Sequence, residues 1–273
     1  MIKIAIRFLA IALAFYIIFC GAFYFFQERF LFYPDKLGKD YKFNFKENFE
    51  GLYIQTDDGI KLNGLLFRAH ESKGLIFYLH GNAGALDSWG SVASLYTELG
   101  YDVFLLNYRG FGKSEGEIRS QRRLFEDVQT AYNKMKELYD EDNIIVLGYS
   151  IGTCPATWLA SVNNPHLLIL QAPYYSMTDI IHGICPVIPR FLIKYKLETY
   201  KYITNCKMPI VIFHGDADMV INYKNSIMLS SLFKKEDSLV ILTNEGHNGI
   251  TYNEQYKEKI SKILYKYNFG NLN

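Results

Sequence analysis

The sequence predicts an α/β protein built on a mostly parallel sheet, and three observations carry that prediction. Short, continuous apolar runs recur along the chain, each closed by glycine or a polar loop. Helical patterns lie between them. One run feeds directly into Gly148-Tyr149-Ser150-Ile151-Gly152, followed by a helix-like stretch through Ala160.

The runs are 75–79, 103–106, 144–147, 167–170, 210–213 and 239–242. Runs this short and this apolar suit strands buried on both faces of a parallel sheet. Before them, Leu52 to Thr56 alternates, Asp57-Asp58-Gly59 makes a turn, and 60–67 pairs back, which predicts an antiparallel edge. Leu124, Val128, Ala131, Met135 and Leu138 fall on one helical face, as do Tyr252, Tyr256, Ile260 and Ile263. The interval between the strands at 167–170 and 210–213 is longer than a crossover needs. It predicts a short lid insertion over about 174–205, apolar and carrying Pro186 and Pro189.

The first residues differ from all this. No charge occurs from Phe8 to Phe26. As a helix that run is about 28 Å long, close to the roughly 30 Å hydrocarbon core of a bilayer. Lys3 and Arg7 precede it and Gln27-Glu28-Arg29 closes it. A transmembrane helix is the expectation, with the positive flank inside and the remaining domain translocated. A signal peptide cleaved near Cys20-Gly21-Ala22, a lipoprotein site at Cys20 and a buried core helix are the competing readings. The expected organisation is an anchor over 1–29, a connector over 30–50 and one α/β domain over 51–273.

The net charge of +1 gives no reason to expect nucleic acid or an acidic partner. Four cysteines without CxxC spacing suggest neither a disulfide framework nor a zinc site. Free thiols are expected, with one Cys185–Cys206 bridge as the alternative. The aromatic share is 16%, enough to supply core and to face lipid. The Asn107 to Gly116 loop is glycine-rich but lacks the GxxxxGK[ST] order, so a nucleotide is rejected and Tyr108 and Arg109 are read as structural.

A serine between glycines, raised on a strand-to-helix turn, is placed to act as a nucleophile. Side chains at Gly148 and Gly152 would collide with neighbouring backbone, and the Ile151 N–H at the helix start suits a developing oxyanion. Serine needs a base. Among His182, His214 and His247, the last follows the final predicted strand, where a loop can lower an imidazole onto Ser150; the other two are read as making structural hydrogen bonds. The orienting acid should follow the strand 210–213, where Asp216 and Asp218 compete and spacing does not separate them. A second oxyanion donor should come from His80-Gly81-Asn82-Ala83-Gly84, with the Asn82 N–H the candidate and His80 a brace.

These motifs occur in the order and spacing of α/β-hydrolases, which the chain resembles over about 25–263. The branch it is most similar to is that of the serine aminopeptidase-like, membrane-anchored α/β-hydrolase-domain proteins, which includes lysophospholipase-like enzymes and protein depalmitoylases. The resemblance implies Asp218 as the acid, since the family's HGxxD loop ends on it. Gly249 departs from the family, where an acidic residue is common. The expected activity is hydrolysis of a carboxylic ester or thioester of a lipid or other acyl substrate, through Ser150, His247 and Asp218, with Asn82 and Ile151 N–H groups facing the oxyanion. No cofactor or metal is called for, and the chain is expected to work as a membrane-attached monomer. A serine peptidase and a membrane-tethered binding protein without catalysis stay open as alternatives.

Overall fold

The structure, a computed structural model, describes residues 1–267. It begins with α1 (Ile2–Leu31), thirty residues long and apolar enough to cross a membrane. Its residues 2–19 are exposed, whereas Cys20, Gln27 and Leu31 are buried against the rest of the protein. Leu31 and the following Phe32 belong to the main core. Burying two such side chains stabilises the junction by about 1.5–3 kcal/mol each.

The chain then forms β1 (Tyr33–Pro34), the hairpin β2 (Phe49–Gln55) and β3 (Lys61–Phe67), then β4 (Leu75–Leu79) and β5 (Ala83–Gly84). Next come α2 (Leu86–Trp89), α3 (Ala93–Glu98), β6 (Asp102–Leu106), α4 (Gln121–Lys136) and β7 (Ile144–Tyr149). Then follow α5 (Thr153–Val162), β8 (Leu167–Gln171), α6 (Met177–Ile184), α7 (Thr199–Ile203) and β9 (Ile210–Gly215). The described part closes with α8 (Lys224–Ser230), β10 (Ser238–Leu242) and α9 (Glu254–Lys266).

Eight strands make one sheet in the order β10-β9-β8-β7-β4-β6-β3-β2. It is parallel from β10 to β6, and β3 and β2 add an antiparallel edge. Alternate residues face opposite layers, as the pleat requires. Phe77, Val146 and Leu168 meet the buried faces of α4 and α5; Ile76, Tyr78, Ile145 and Phe213 meet α3 and α9. The central parallel strands are therefore mainly apolar, with polar residues at their ends such as Asp102, Gln171 and His214. The run at 239–242 is an exception to the expected two-sided burial: β10 lies at the edge of the sheet, and only Leu242 in it is buried. Two helical faces also shift at their ends. Leu138 lies beyond α4 and is exposed. The buried stripe of α9 runs through Tyr256, Ile260 and Leu264, leaving Tyr252 exposed. Pro155 falls in the first turn of α5, where its missing N–H costs nothing.

The four cysteines are free thiols. Within the stretch expected as an insertion, α6 stands over the C-terminal end of β7, where Met177, Ile180 and Ile181 share a cavity with Ser150. By contrast, α7 packs on α5 within the main core.

Candidate active site

Ser150 follows β7 with φ of +52°, the left-handed region that side chains avoid. The turn is held open by absence. A Cβ on Gly152 would lie 2.3 Å from the Leu79 carbonyl oxygen, and one on Gly148 would lie 2.6 Å from that of Gly152. The tight packing of β7, β4 and α5 thus forces the strained backbone, and the strain lifts the Ser150 hydroxyl above the sheet.

His247 lies in the loop after β10, and its Nε2 is 2.9 Å from Ser150 Oγ. Its Nδ1 is 2.7 Å from Asp218 Oδ2. Asp218 is buried, and its other oxygen accepts the N–H groups of Val220 and Ile221, each at 2.8 Å. Burial pushes its carboxyl pKa up, but hydrogen bonds from His214, His247 and the Ile221 N–H outweigh that and hold it well below the usual carboxylate range. His214 Nε2 is 3.2 Å from Asp218 Oδ2 and also 2.8 Å from the Ile221 carbonyl, while its Nδ1 pairs with Ser226 Oγ at 2.6 Å. His214 therefore braces the acid loop. His182 does not make the structural bond expected of it: its Nε2 is buried without a partner.

The two aspartates separate in space. Asp218 faces His247, whereas Asp216 Oδ1 accepts the Asn244 N–H at 2.7 Å and ties the two loops together. Ala217 N–H donates to the Glu245 carbonyl at 3.0 Å, a second tie. The Tyr149 hydroxyl donates to the His247 carbonyl, so the residue before the elbow holds the imidazole's loop.

Asn82 and Ile151 both border the cavity at Ser150. The Asn82 carbonyl accepts the Tyr33 N–H at 2.8 Å, and β1 pairs in parallel with β5. The Asp35 carbonyl accepts the Gly112 N–H, at 2.8 Å. The connector after α1 is thus laced to both the 81–84 and the 107–116 loops. Nothing in its sequence marks such two-residue pairing. His80 is fully buried between Trp89 and Tyr108, and burial pulls its pKa down to about 4. Arg109 makes paired bonds to Asp127 and to Asp58, all at 2.7–3.0 Å, away from Ser150.

Ser150 opens into a cavity of about 1010 Å³, at the upper end of the roughly 300–1,000 Å³ common for ligand sites. Its lining is mainly apolar, contains no carboxylate, and has Arg29 as its one permanent charge. One wall is α6. The opposite wall, which sequence reading missed, is the second half of α1, including Phe19, Ala22, Phe23 and Phe26. Among the described residues no cluster of three or more His, Cys, Asp or Glu side chains is placed to hold a metal ion.

A parallel sheet with a serine elbow, followed in chain order by an acid loop and a histidine loop, defines an α/β-hydrolase-fold protein. The family model for the α/β hydrolase fold matches residues 74–177 of the chain. It is 28% identical over 238 residues to an uncharacterized protein of Acanthamoeba polyphaga mimivirus, covering 77% of this chain and 79% of that one. It is also 28% identical over 233 residues to the uncharacterized protein YfhR of Escherichia coli, covering 79% and 81%. An esterase of Pyrococcus furiosus superposes with a TM-score of 0.70 at 18% identity, over 87% of this chain and 97% of that one. The Pyrococcus horikoshii acylaminoacyl peptidase gives 0.64 at 17% identity, over 81% of this chain and 41% of that one. Both likenesses are likenesses of fold.

Proposed function

We propose that the protein is a membrane-anchored serine hydrolase that cleaves carboxylic ester or thioester bonds of acyl substrates. The observation that carries this reading is the series Ser150 Oγ, His247 Nε2, His247 Nδ1, Asp218 Oδ2, with spacings of 2.9 and 2.7 Å, at the floor of an apolar cavity. Ser150 Oγ attacks the acyl carbonyl carbon while its proton passes to His247 Nε2. Asp218 stabilises the resulting imidazolium and keeps Nδ1 protonated. The carbonyl electron pair becomes an oxyanion facing the Ile151 and Asn82 N–H groups. Collapse expels the alcohol or thiol, which takes the proton from His247, and leaves an acyl-Ser150. Water, giving its proton to His247, then attacks the acyl carbon; the acyl C–Oγ bond breaks, Ser150 Oγ takes the proton back from His247, and the acid leaves.

The cavity lining favours an acyl chain over an aminoacyl group. An aminopeptidase has to hold the α-ammonium of its substrate, and a buried ammonium needs an acceptor charge. The lining has no carboxylate and does have Arg29. The length and apolarity of α1 support attachment to a membrane.

The test is labelling with an active-site-directed fluorophosphonate. Wild type is expected to label and Ser150→Ala to stay blank; equal labelling, or none in either, ends the proposal. p-Nitrophenyl acyl esters compared with aminoacyl-p-nitroanilides separate the esterase reading from the peptidase one.

A further inference from the structure

We infer that α1 is one wall of an acyl-chain site as well as an anchor, and that the chain it holds belongs to a lipid ester or thioester still seated in the bilayer. The inference rests on the esterase reading of Ser150 and names its substrate class. Phe19, Ala22, Phe23, Phe26 and Phe30 line the cavity. Their spacing of three and four residues places them on a single face of the helix. On the other side, Met177, Ile180, Ile181 and Ile184 follow the same spacing on α6. Two apolar stripes therefore face one another across a slot whose floor holds Ser150.

The helix is fixed to that slot at both ends of its stripe. At one end, the Tyr16 hydroxyl donates to the Val187 carbonyl at 2.9 Å. At the other, Gln27 is fully buried; its Nε2 donates to the Leu192 carbonyl at 3.1 Å and its Oε1 accepts the Lys194 N–H at 2.8 Å. Glu28 adds an ion pair with Lys194 at 2.6 Å and a bond from the Tyr195 hydroxyl at 3.1 Å. A helix serving only as a tether needs none of these contacts.

Depth in the membrane follows from charge. Lys3 and Arg7 lie at one end of α1 and Glu28 and Arg29 at the other. The uncharged stretch between them is about 30 Å long, so a hydrocarbon core of roughly 30 Å must cover nearly all of it. Phe19 to Phe26 then lie within the hydrocarbon, and so does the segment beside them. That segment carries Ile184, Val187 and Phe191 at 81%, 58% and 80% exposure, with the exposed Arg190 among them, whose long side chain can reach the headgroups while its stem stays in lipid. Large apolar side chains this exposed are costly in water and neutral in lipid. Two independent features, the charge spacing of α1 and the bare apolar edge after α6, put the slot at the same depth. A lipid acyl chain can then move from the leaflet to Ser150 without crossing water.

The experiment uses the full chain in phosphatidylcholine vesicles and reads the ratio of kcat/KM for p-nitrophenyl palmitate to that for p-nitrophenyl butyrate. Ala22→Trp and Ile181→Trp, one on each wall, are expected to lower the ratio at least tenfold. Ile11→Trp, on the part of α1 outside the cavity, is expected to leave it unchanged. Ratios within twofold of wild type for both wall variants overturn the inference. A second readout does not depend on turnover: Ser150→Ala in the same vesicles is photolysed with a diazirine-bearing palmitoyl phosphatidylcholine. Crosslinks on both 19–30 and 177–188 are expected, reduced by Ala22→Trp; crosslinks confined to 8–18 overturn the inference. Fluorophosphonate labelling of wild type keeps the two failures apart. A labelled protein without wall-dependent selectivity loses only the acyl site, and an unlabelled one loses the hydrolase reading first.

Discussion

The Tyr33 N–H donates to the Asn82 carbonyl at 2.8 Å. Two residues past the end of α1, the backbone therefore holds the loop expected to supply an oxyanion donor. The N-terminal segment reaches the site twice, once as the cavity wall and once as this two-residue strand. Its removal would disturb both.

The two aspartates of the 214–218 loop should behave differently. Asp218→Asn leaves the shape intact but offers His247 Nδ1 the wrong partner, and a loss in kcat of roughly 10,000-fold is expected. Asp216→Ala removes only the bond to the Asn244 N–H, which costs about 1 kcal/mol and a few-fold in rate. Steady-state ester kinetics on the two variants decide, and the reverse ranking would reassign the acid.

Backbone strain at Ser150 predicts an unusual stability order. The residue sits at φ +52°, which any side chain resists and glycine does not. Ser150→Gly and Ser150→Ala should both lack activity, yet the glycine variant should be more stable than the alanine variant by about 1 kcal/mol. Thermal unfolding of the pair measures this; equal stabilities would mean that the elbow stores no strain.

His80 should impose a pH dependence on stability. Burial lowers its pKa from 6.5 to about 4 in the folded state. Between these values the unfolded chain binds a proton that the folded one refuses, so stability rises with pH across that window and falls as acid is added. Below about pH 4 both states are protonated and the loss levels off. A shift of this size corresponds to about 3 kcal/mol. The Asp218 contribution follows a different course: its depressed pKa stabilises the fold above the ordinary carboxylate range and is lost only in stronger acid. Urea unfolding at pH 7 and pH 5, followed by tryptophan emission, should show the His80 loss. His80→Phe, seated in the same aromatic box, should flatten it.

Gln27 is the buried polar link between α1 and the segment after α6. Gln27→Leu leaves the Leu192 carbonyl and the Lys194 N–H without partners, at a cost of roughly 1–3 kcal/mol. Hydrogen exchange of residues 184–195 should accelerate, while the strands of the central sheet keep their protection. Uniform exchange across the protein would show that the contact is incidental.

Much of this was legible in the chain itself. The apolar runs named the strands because a strand buried on both faces has no room for polar residues, and Gly148 and Gly152 marked the elbow because no Cβ fits there. Only the edge run 239–242 misled, since periodicity does not report a strand's place in the sheet. By its own pattern the sequence determined the α/β class, the serine at the turn, the histidine after the last strand and an apolar N-terminal helix. Spacing left Asp216 and Asp218 open and only the resemblance preferred Asp218; in space the loop's path turns Asp218 toward His247 and Asp216 toward Asn244. The tertiary structure alone decided that α1 walls the cavity and that the connector laces the 81–84 loop. Both are contacts between residues far apart in sequence, the Gln27 pairings spanning more than 160 positions. An apolar helix reads the same from sequence whether its neighbour is lipid or its own folded domain, because hydrophobicity has no direction until packing supplies one.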